Sequence, residues 1–529
     1  MSSRNVYFKQ NILVEPLFNR WYAWANLIPP ASAAMYIANS HLKIMESFVA
    51  SPQVHIAALK NPAMLGGPFI NYDASKVGEI KGMIERTKKE QPHILEFAKA
   101  IKTLDDMLQT EANGFSLEAL YPEVPDVLKG YVELVYDLHN NPSIRFMDGL
   151  LYRSKYYDPG MQSVSLSQCE SDDRSFVFST PRLESEGRLF LDVPFNHEGL
   201  DELFRMKFVP QPYEYIKEAL NVRNGGGELF SSFFTEEPPK PQTKYDGEQV
   251  RIRYFGHACI LIETKDVSIL CDPVISYKDH LGIDRYIHAD LPETIDYVLI
   301  THNHQDHIMF ETLLQLRHKI KHLVVPKSSS ANRVDPSVKL ILQTIGFKNA
   351  IDIEELESID IPGGKIVGLP FLGEHADLNV MTKLAYHVSL KGKSMVLAAD
   401  SNNLEPRLYE HLRELFAEVD MLFLGMECDG APMSWLYGPL FTTPIIRKDD
   451  QSRRLNGSTY EKGIAIVNIL QPKHAYVYAM GQEPWLKFLT SIQYTDESRP
   501  IVESNKLVNE CQSRGIAAER LYVRKEIFL

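Results

Sequence analysis

A chain of 529 residues is too long for one hydrophobic core, because cores stop growing near ~300 residues, so at least two domains are expected. With 44% hydrophobic and 24% charged residues the composition excludes disordered and fibrous classes, and a net charge of -13 excludes a protein that grips nucleic acid through a cationic face. Five scattered cysteines without a CxxC pair exclude a disulfide framework, and no apolar run reaches signal-peptide or membrane-span length, so a soluble, cytoplasmic protein is expected.

In chain order, "PHILEFAKAIKTLDDMLQ" (92–109) opens with proline at a helix start and puts Ile94, Phe97, Ala98, Ile101, Leu104 and Leu108 on one face, which predicts a packed helix. The stretch "RSFVFSTPRLESEGRLFLDVPF" (174–195) alternates as strands do, so a mixed α/β N-terminal domain is expected over residues 1–234. After a glycine-rich "NGGGE" (224–228), "TEEPPKPQTKYDGEQ" (235–249) replaces the apolar pattern with prolines and charges and reads as a linker. From residue 250 to 529 short apolar strands alternate with helices, and "KLAYHVSLKGKSMVLAAD" (383–400) reads as a hairpin turning at Lys391-Gly392. Strands with helices outside them predict a layered α/β domain.

The chemistry concentrates in "YVLITHNHQDHIMFETLL" (297–314). His302 and His304, two apart in extended chain, can face one metal ion, while Asp306 and His307 turn toward a second. A buried strand before the motif and a helix after it would hold that loop rigid.

This HxHxDH motif, the "GHA" containing His257, the Asp-Pro of "LCDPV" (Asp272) and Asp400 closing "MVLAAD" resemble the metallo-β-lactamase superfamily. The resemblance implies an αββα sandwich with a dinuclear site at the sheet edge. Asp400 would then bridge the ions, and Asp272 would orient a ligand histidine from behind. Two departures matter. Where hydrolases of the superfamily supply a further histidine, "LPFLGEHADL" offers Glu374 and His375, and spacing does not choose between them. Where the last histidine is usual, "YVYAMGQEPW" has none, though Glu483 is near. A carboxylate-rich set suits iron or manganese better than hydrolytic zinc.

Strings along the whole chain, among them "NILVEPLFNRWYAW", "SPQVHIAALKNPAMLGGPFI", "AADSNN", "MSWLYGPL" and "DQSRRLNGS", resemble the diiron β-hydroxylases of nonribosomal peptide pathways, of the chloramphenicol-pathway type. The resemblance implies an N-terminal capping and dimerisation domain, hence a homodimer, and a diiron C-terminal domain. By it, Glu374 joins His302 and His304 on one iron, Asp306 and His307 take the other, and Asp400 bridges. Glu427, at a strand end, is a weaker candidate near the second iron. The implied reaction uses dioxygen and an external two-electron donor to hydroxylate the β-carbon of an aminoacyl group. That group is tethered to a peptidyl carrier domain by its phosphopantetheine arm. The long segment 429–458 would form a lid or arm tunnel, and the basic strings "RHKIKH" (317–322) and "RKDDQSRR" (447–454) are candidates for carrier docking. The alternative is a dizinc hydrolase, a thioesterase or phosphodiesterase.

Overall fold

The structure is a computed structural model describing residues 4–222, 226–242, 244–278, 282–328, 331–416 and 418–529. The string 224–228 and the linker 235–249 therefore lie partly outside the described residues.

The C-terminal half is built on two sheets. In chain order its strands are β1 (Arg251–Tyr254), β2 (Ile260–Glu263), β3 (Ser268–Cys271), β4 (Ile295–Leu299), β5 (Ile320–Pro326), β6 (Ala350–Ile353) and β7 (Ser358–Ile361). They continue with β8 (Gly364–Leu369), β9 (Ala385–Leu390), β10 (Lys393–Leu397), β11 (Met421–Gly425), β12 (His474–Tyr478), β13 (Ala517–Arg520) and β14 (Lys525–Phe528). One sheet runs β6-β5-β4-β3-β2-β1-β14 and the other β7-β8-β9-β10-β11-β12-β13. The pairs β3·β4, β4·β5 and β5·β6 are parallel, as are β10·β11, β11·β12 and β12·β13, so parallel strands of both sheets end at one edge of the stack.

Alternation along each strand decides the layers. Ile252, Ile260, Ile262 and Ile269 face Tyr386, Val388, Met395 and Phe423 across the sheet interface. The opposite residues of the strands, such as Leu261, Leu270 and Val298, or Val396, Leu422 and Val477, meet flanking helices. The result is the expected αββα sandwich. The hairpin turns where expected, with Lys391 and Gly392 both left-handed (φ 50° and 76°), as a two-residue turn between β9 and β10 requires.

The N-terminal half packs helices around a four-stranded antiparallel sheet in the order Trp21–Tyr22, Ile12–Phe18, Gln162–Gln168, Arg188–Leu191. The predicted helix spans Pro92–Glu111 and buries all six residues of its apolar face. Strand alternation in 174–187 misleads, because only Arg188–Leu191 pairs. The preceding residues are fixed by tertiary bonds instead: the Val177 amide donates to the Phe488 carbonyl, and the Arg182 guanidinium meets Glu15. One apolar core runs through both halves, with Trp24, Met35, Phe97 and Leu104 joined to Phe310, Leu313, Met433 and Leu486. All five cysteines are buried free thiols. Among the described residues no helix is long and apolar enough to cross a membrane.

Candidate metal centre

Strand ends supply most side chains of the site, and Glu374 comes from the loop between β8 and β9. Asp272 follows β3, the HxHxDH loop follows β4, Asp400 follows β10, and Glu427 follows β11. The chain leaves these strands through left-handed positions that ordinary residues occupy at a cost of order 1–3 kcal/mol each: His257 (φ 52°), Asp272 (φ 38°), Glu374 (φ 67°), Ala399 (φ 48°) and Cys428 (φ 59°). Such concentration of strain marks a functional edge. Gly425 is required here, since a Cβ on it would stand 2.6 Å from the Ala399 carbonyl and 2.9 Å from Asp400 Oδ1.

The side chains converge on three overlapping triads whose ligand atoms lie within 4.8 Å of one another: His302, His304 and Glu374; His302, His307 and Asp400; and His257, Asp306 and His307. Glu374 Oε1 is 2.7 Å from His304 Nδ1, and Glu374 Oε2 is 3.8 Å from His302 Nε2. Asp400 Oδ2 stands between the two halves, 2.9 Å from His307 Nε2 and 3.8 Å from His302 Nε2. Asp306 Oδ2 lies 3.3 Å from His257 Nε2.

Polar contacts fix the rings from behind. Asp272 Oδ2 lies 2.8 Å from His307 Nδ1 and accepts from the Thr301 hydroxyl at 2.6 Å, while its other oxygen accepts the Thr301 amide. The Tyr437 hydroxyl sits 3.0 Å from His304 Nε2, which leaves Nδ1 facing Glu374. His375 stacks on His304 with centroids 4.6 Å apart and puts Nδ1 3.1 Å from Glu374 Oε2, outside the triads. Glu483 accepts the Tyr254 hydroxyl and belongs to no triad. Sequence reasoning missed Tyr437 and Thr301; no spacing rule marks a residue 133 positions from His304, and a single threonine carries no ligand signal.

Among the described residues, four buried atoms of the triad side chains have no hydrogen-bond partner: His257 Nε2, His302 Nε2, Glu374 Oε2 and Asp400 Oδ1. Each would cost about 1–3 kcal/mol if left uncompensated, and coordination to cations would compensate them. Burial, reinforced by the Asp400 and Asp306 carboxylates against the pull of His304, pushes Glu374 up to about 7. Burial opposes charge on His307, but Asp400 and Asp272 on its two nitrogens outweigh it and raise its pKa. Burial likewise raises the pKa of Glu427, helped by Asp400, Asp306 and Glu374, and Glu427 lines the same cavity as those three acids. Acids facing one another in a buried site need positive charge at the centre, and the triads offer four imidazoles (His257, His302, His304, His307) with three carboxylates (Asp306, Glu374, Asp400), a mixed nitrogen and oxygen donor set that suits iron.

Residues 7–238 match the diiron non-heme β-hydroxylase N-terminal domain, and residues 251–395 match the β-lactamase superfamily domain. The chain is 38% identical to 4-amino-L-phenylalanyl-(CmlP-peptidyl-carrier-protein) 3-hydroxylase of Streptomyces venezuelae, over 98% of this chain and 99% of that protein. It belongs to the diiron β-hydroxylase family. The crystal structure of CmlA, a diiron β-hydroxylase from Streptomyces venezuelae, superposes with a TM-score of 0.94 at 37% identity and covers 100% of both chains. A 127-residue stretch, 24% of the chain, is 33% identical to half of a UPF0173 protein of Pyrococcus abyssi.

In this β-hydroxylase the triads open onto a cavity of about 310 Å³ lined by His304, Asp306, Glu374, Asp400 and Glu427 on one side. Leu65, Trp435, Leu436, Ile492 and Tyr494 form the other. Trp435 and Leu436 belong to helix Met433–Tyr437, so part of the segment 429–458 walls the metal cavity. A second cavity of about 330 Å³, edged by Trp24, Tyr36, Phe176 and Phe178, shares the Trp435 wall. The Trp435 indole donates to the Gly66 carbonyl across that wall at 3.0 Å.

Proposed function

We propose that this diiron β-hydroxylase is an oxygen-dependent monooxygenase acting on the β-carbon of an aminoacyl group tethered to a peptidyl carrier domain. One observation carries the reading: Glu374, a carboxylate, closes the His302–His304 triad where a hydrolase of the same fold would place a histidine. The resemblance to a full-length relative that acts on a carrier-bound substrate supports it.

In this proposal His302, His304 and Glu374 would hold one iron, Asp306 and His307 would hold the other, and Asp400 would serve both. Glu427 and His257 flank the second position. When bound, the two irons supply the oxidising power that activates dioxygen against an unactivated C–H bond. The protein does the rest. Asp272 and Thr301 hold His307 with Nε2 inward, and Tyr437 fixes the ring of His304. The apolar wall of Leu65, Trp435, Leu436 and Ile492 keeps bulk water from the reacting carbon. Overall, one oxygen atom enters the C–H bond and the other leaves as water, which consumes two protons and two electrons and so requires an external two-electron donor.

Residues 1–234 cap the site, 235–249 link, and 250–529 carry the metals; the N-terminal part also forms a homodimer, which sedimentation analysis tests. The decisive experiment supplies iron-loaded protein, reductant and dioxygen to a panel of aminoacyl carrier domains. A gain of one oxygen on one of them, seen by mass spectrometry, is expected. Two zinc ions per chain, with thioester or phosphodiester cleavage and no oxygen uptake, would favour the hydrolase instead.

A further inference from the structure

An enzyme whose substrate is a whole domain needs a place to seat that domain beside the reacting cavity. The lid segment carries such a place. Helix Arg447–Ser452 lies on the outside of the cavity wall and is bolted to it: Asp450 accepts from the Ser434 amide and hydroxyl at 2.7 and 2.8 Å, and the Met433 amide donates to Arg453 O. The Leu455 amide donates to Ala431 O, closing the two chain segments that flank the helix onto each other. Leu455 and Ala431 both line the metal cavity, and Arg453 Nε donates at 2.9 Å to the carbonyl of Ala376, two residues from Glu374.

The outward side of this segment combines an exposed aliphatic residue with exposed cations beside the cavity wall. Ile446 is 68% exposed, Arg447 and Lys448 are exposed, and half-buried Arg454 donates to Gln451. Among the described residues no carboxylate pairs with Arg447, Lys448 or Arg454. Of the two acids on the helix, Asp450 is consumed by Ser434, which leaves Asp449 alone against the three cations. The other basic string fails the same test. Arg317 is held by Asp201 and by the Phe195 and Ile345 carbonyls, Lys319 is buried, and Lys321 pairs with Asp296.

We propose that Ile446, Arg447, Lys448 and Arg454 form the docking surface for the carrier domain, with the cations receiving its acidic face and the phosphodiester at the root of the arm, and Ile446 its apolar contact. This rests on the hydroxylase reading above and names the partner's seat. A carrier placed here lies against the segment whose Trp435, Leu436 and Leu455 line the cavity of the metal site. An exposed aliphatic residue with cations nearby in the same segment gives both contact area and steering.

The test uses iron-loaded enzyme and a fluorescently labelled, phosphopantetheinylated peptidyl carrier domain. Wild type should bind it with an affinity that falls as salt rises. The double variant R447E/K448E should weaken binding, and raise KM for the carrier-bound aminoacyl group, by about tenfold or more, with the salt dependence flattened. Turnover of the same aminoacyl group on free pantetheine should not change. Ile446→Ala should weaken binding while the salt dependence stays as in wild type. Unchanged carrier affinity in both variants, an equal loss with the carrier-free thioester, or a change of oligomeric state would overturn the assignment. If wild type hydroxylates no carrier-bound group, the proposed function fails, while the binding titration still decides the docking surface.

Discussion

Glu374 sits in the left-handed region, two residues before Ala376 and three before Asp377, which are left-handed as well. That run of strained backbone is what brings a carboxylate, and not the neighbouring His375, to the triad. Exchange of its chemistry should change the metal. Glu374→His is expected to lose iron in favour of zinc and to abolish hydroxylation, read by metal analysis and product mass spectrometry; full iron loading with normal hydroxylation would remove Glu374 from the ligand set. Tyr437 tests the support of the site. Tyr437→Phe removes the hydroxyl that fixes His304, and iron affinity should fall about 10–100-fold while the circular dichroism spectrum is kept. Unaltered affinity in a chelator competition would show that the ring is held by its stacking on His375 alone.

Helix α1 (Phe310–Leu316) starts three residues after His307, so whatever fixes this helix fixes the metal loop. Its Glu311 is gripped from the N-terminal half by Arg174 at 3.0 and 2.8 Å and by the Tyr22 hydroxyl at 2.9 Å. Arg174 in turn shares buried Glu15 with Arg182 and Arg188. Burial alone would raise the pKa of Glu15, but the three guanidiniums hold its carboxyl well below the usual range. Glu15→Gln leaves those cations without their counter-charge and should destabilise the fold by about 3–5 kcal/mol in denaturant titration. The unfolded glutamate ionises near ~4.3, above the folded group, so this stabilisation is complete above that pH and is lost as pH falls below it. Glu15→Gln should therefore have the flatter acid limb in a stability-against-pH profile; parallel limbs would remove Glu15 as its source.

Across the whole molecule, the shared core means that the halves are not independent bodies. Phe310, Leu313, Met433, Leu436 and Leu486 of the catalytic half pack with Tyr22, Trp24, Met35 and Tyr36 of the other. Unfolding of the iron-free chain should be a single transition, coincident by far-ultraviolet circular dichroism and tryptophan fluorescence. Two separated transitions would mean that the apolar contact between the halves is weaker than its burial implies.

Local signals are legible in the sequence itself. The Pro92 helix, the Lys391-Gly392 turn, the layered α/β class and the HxHxDH motif each arise from neighbours in sequence, where periodicity, turn chemistry and ligand spacing act. Resemblance along the chain supplied the family and the choice of Glu374 over His375, which spacing left open. What the sequence could not decide is what long-range packing decides. Strand-like alternation in 174–187 ended as irregular chain, because Arg174 and Arg182 reach Glu15 and the Val177 amide bonds Phe488, partners far away in the sequence. Tyr437 behind His304, Glu311 tied to Arg174, and the burial of Arg317 and Lys319 against the exposure of Arg447 and Lys448 have the same origin. The sequence determines which groups can ligate, turn or pair; only the tertiary structure decides which of them meet, because contact between distant residues depends on how both sheets and both halves close on one another.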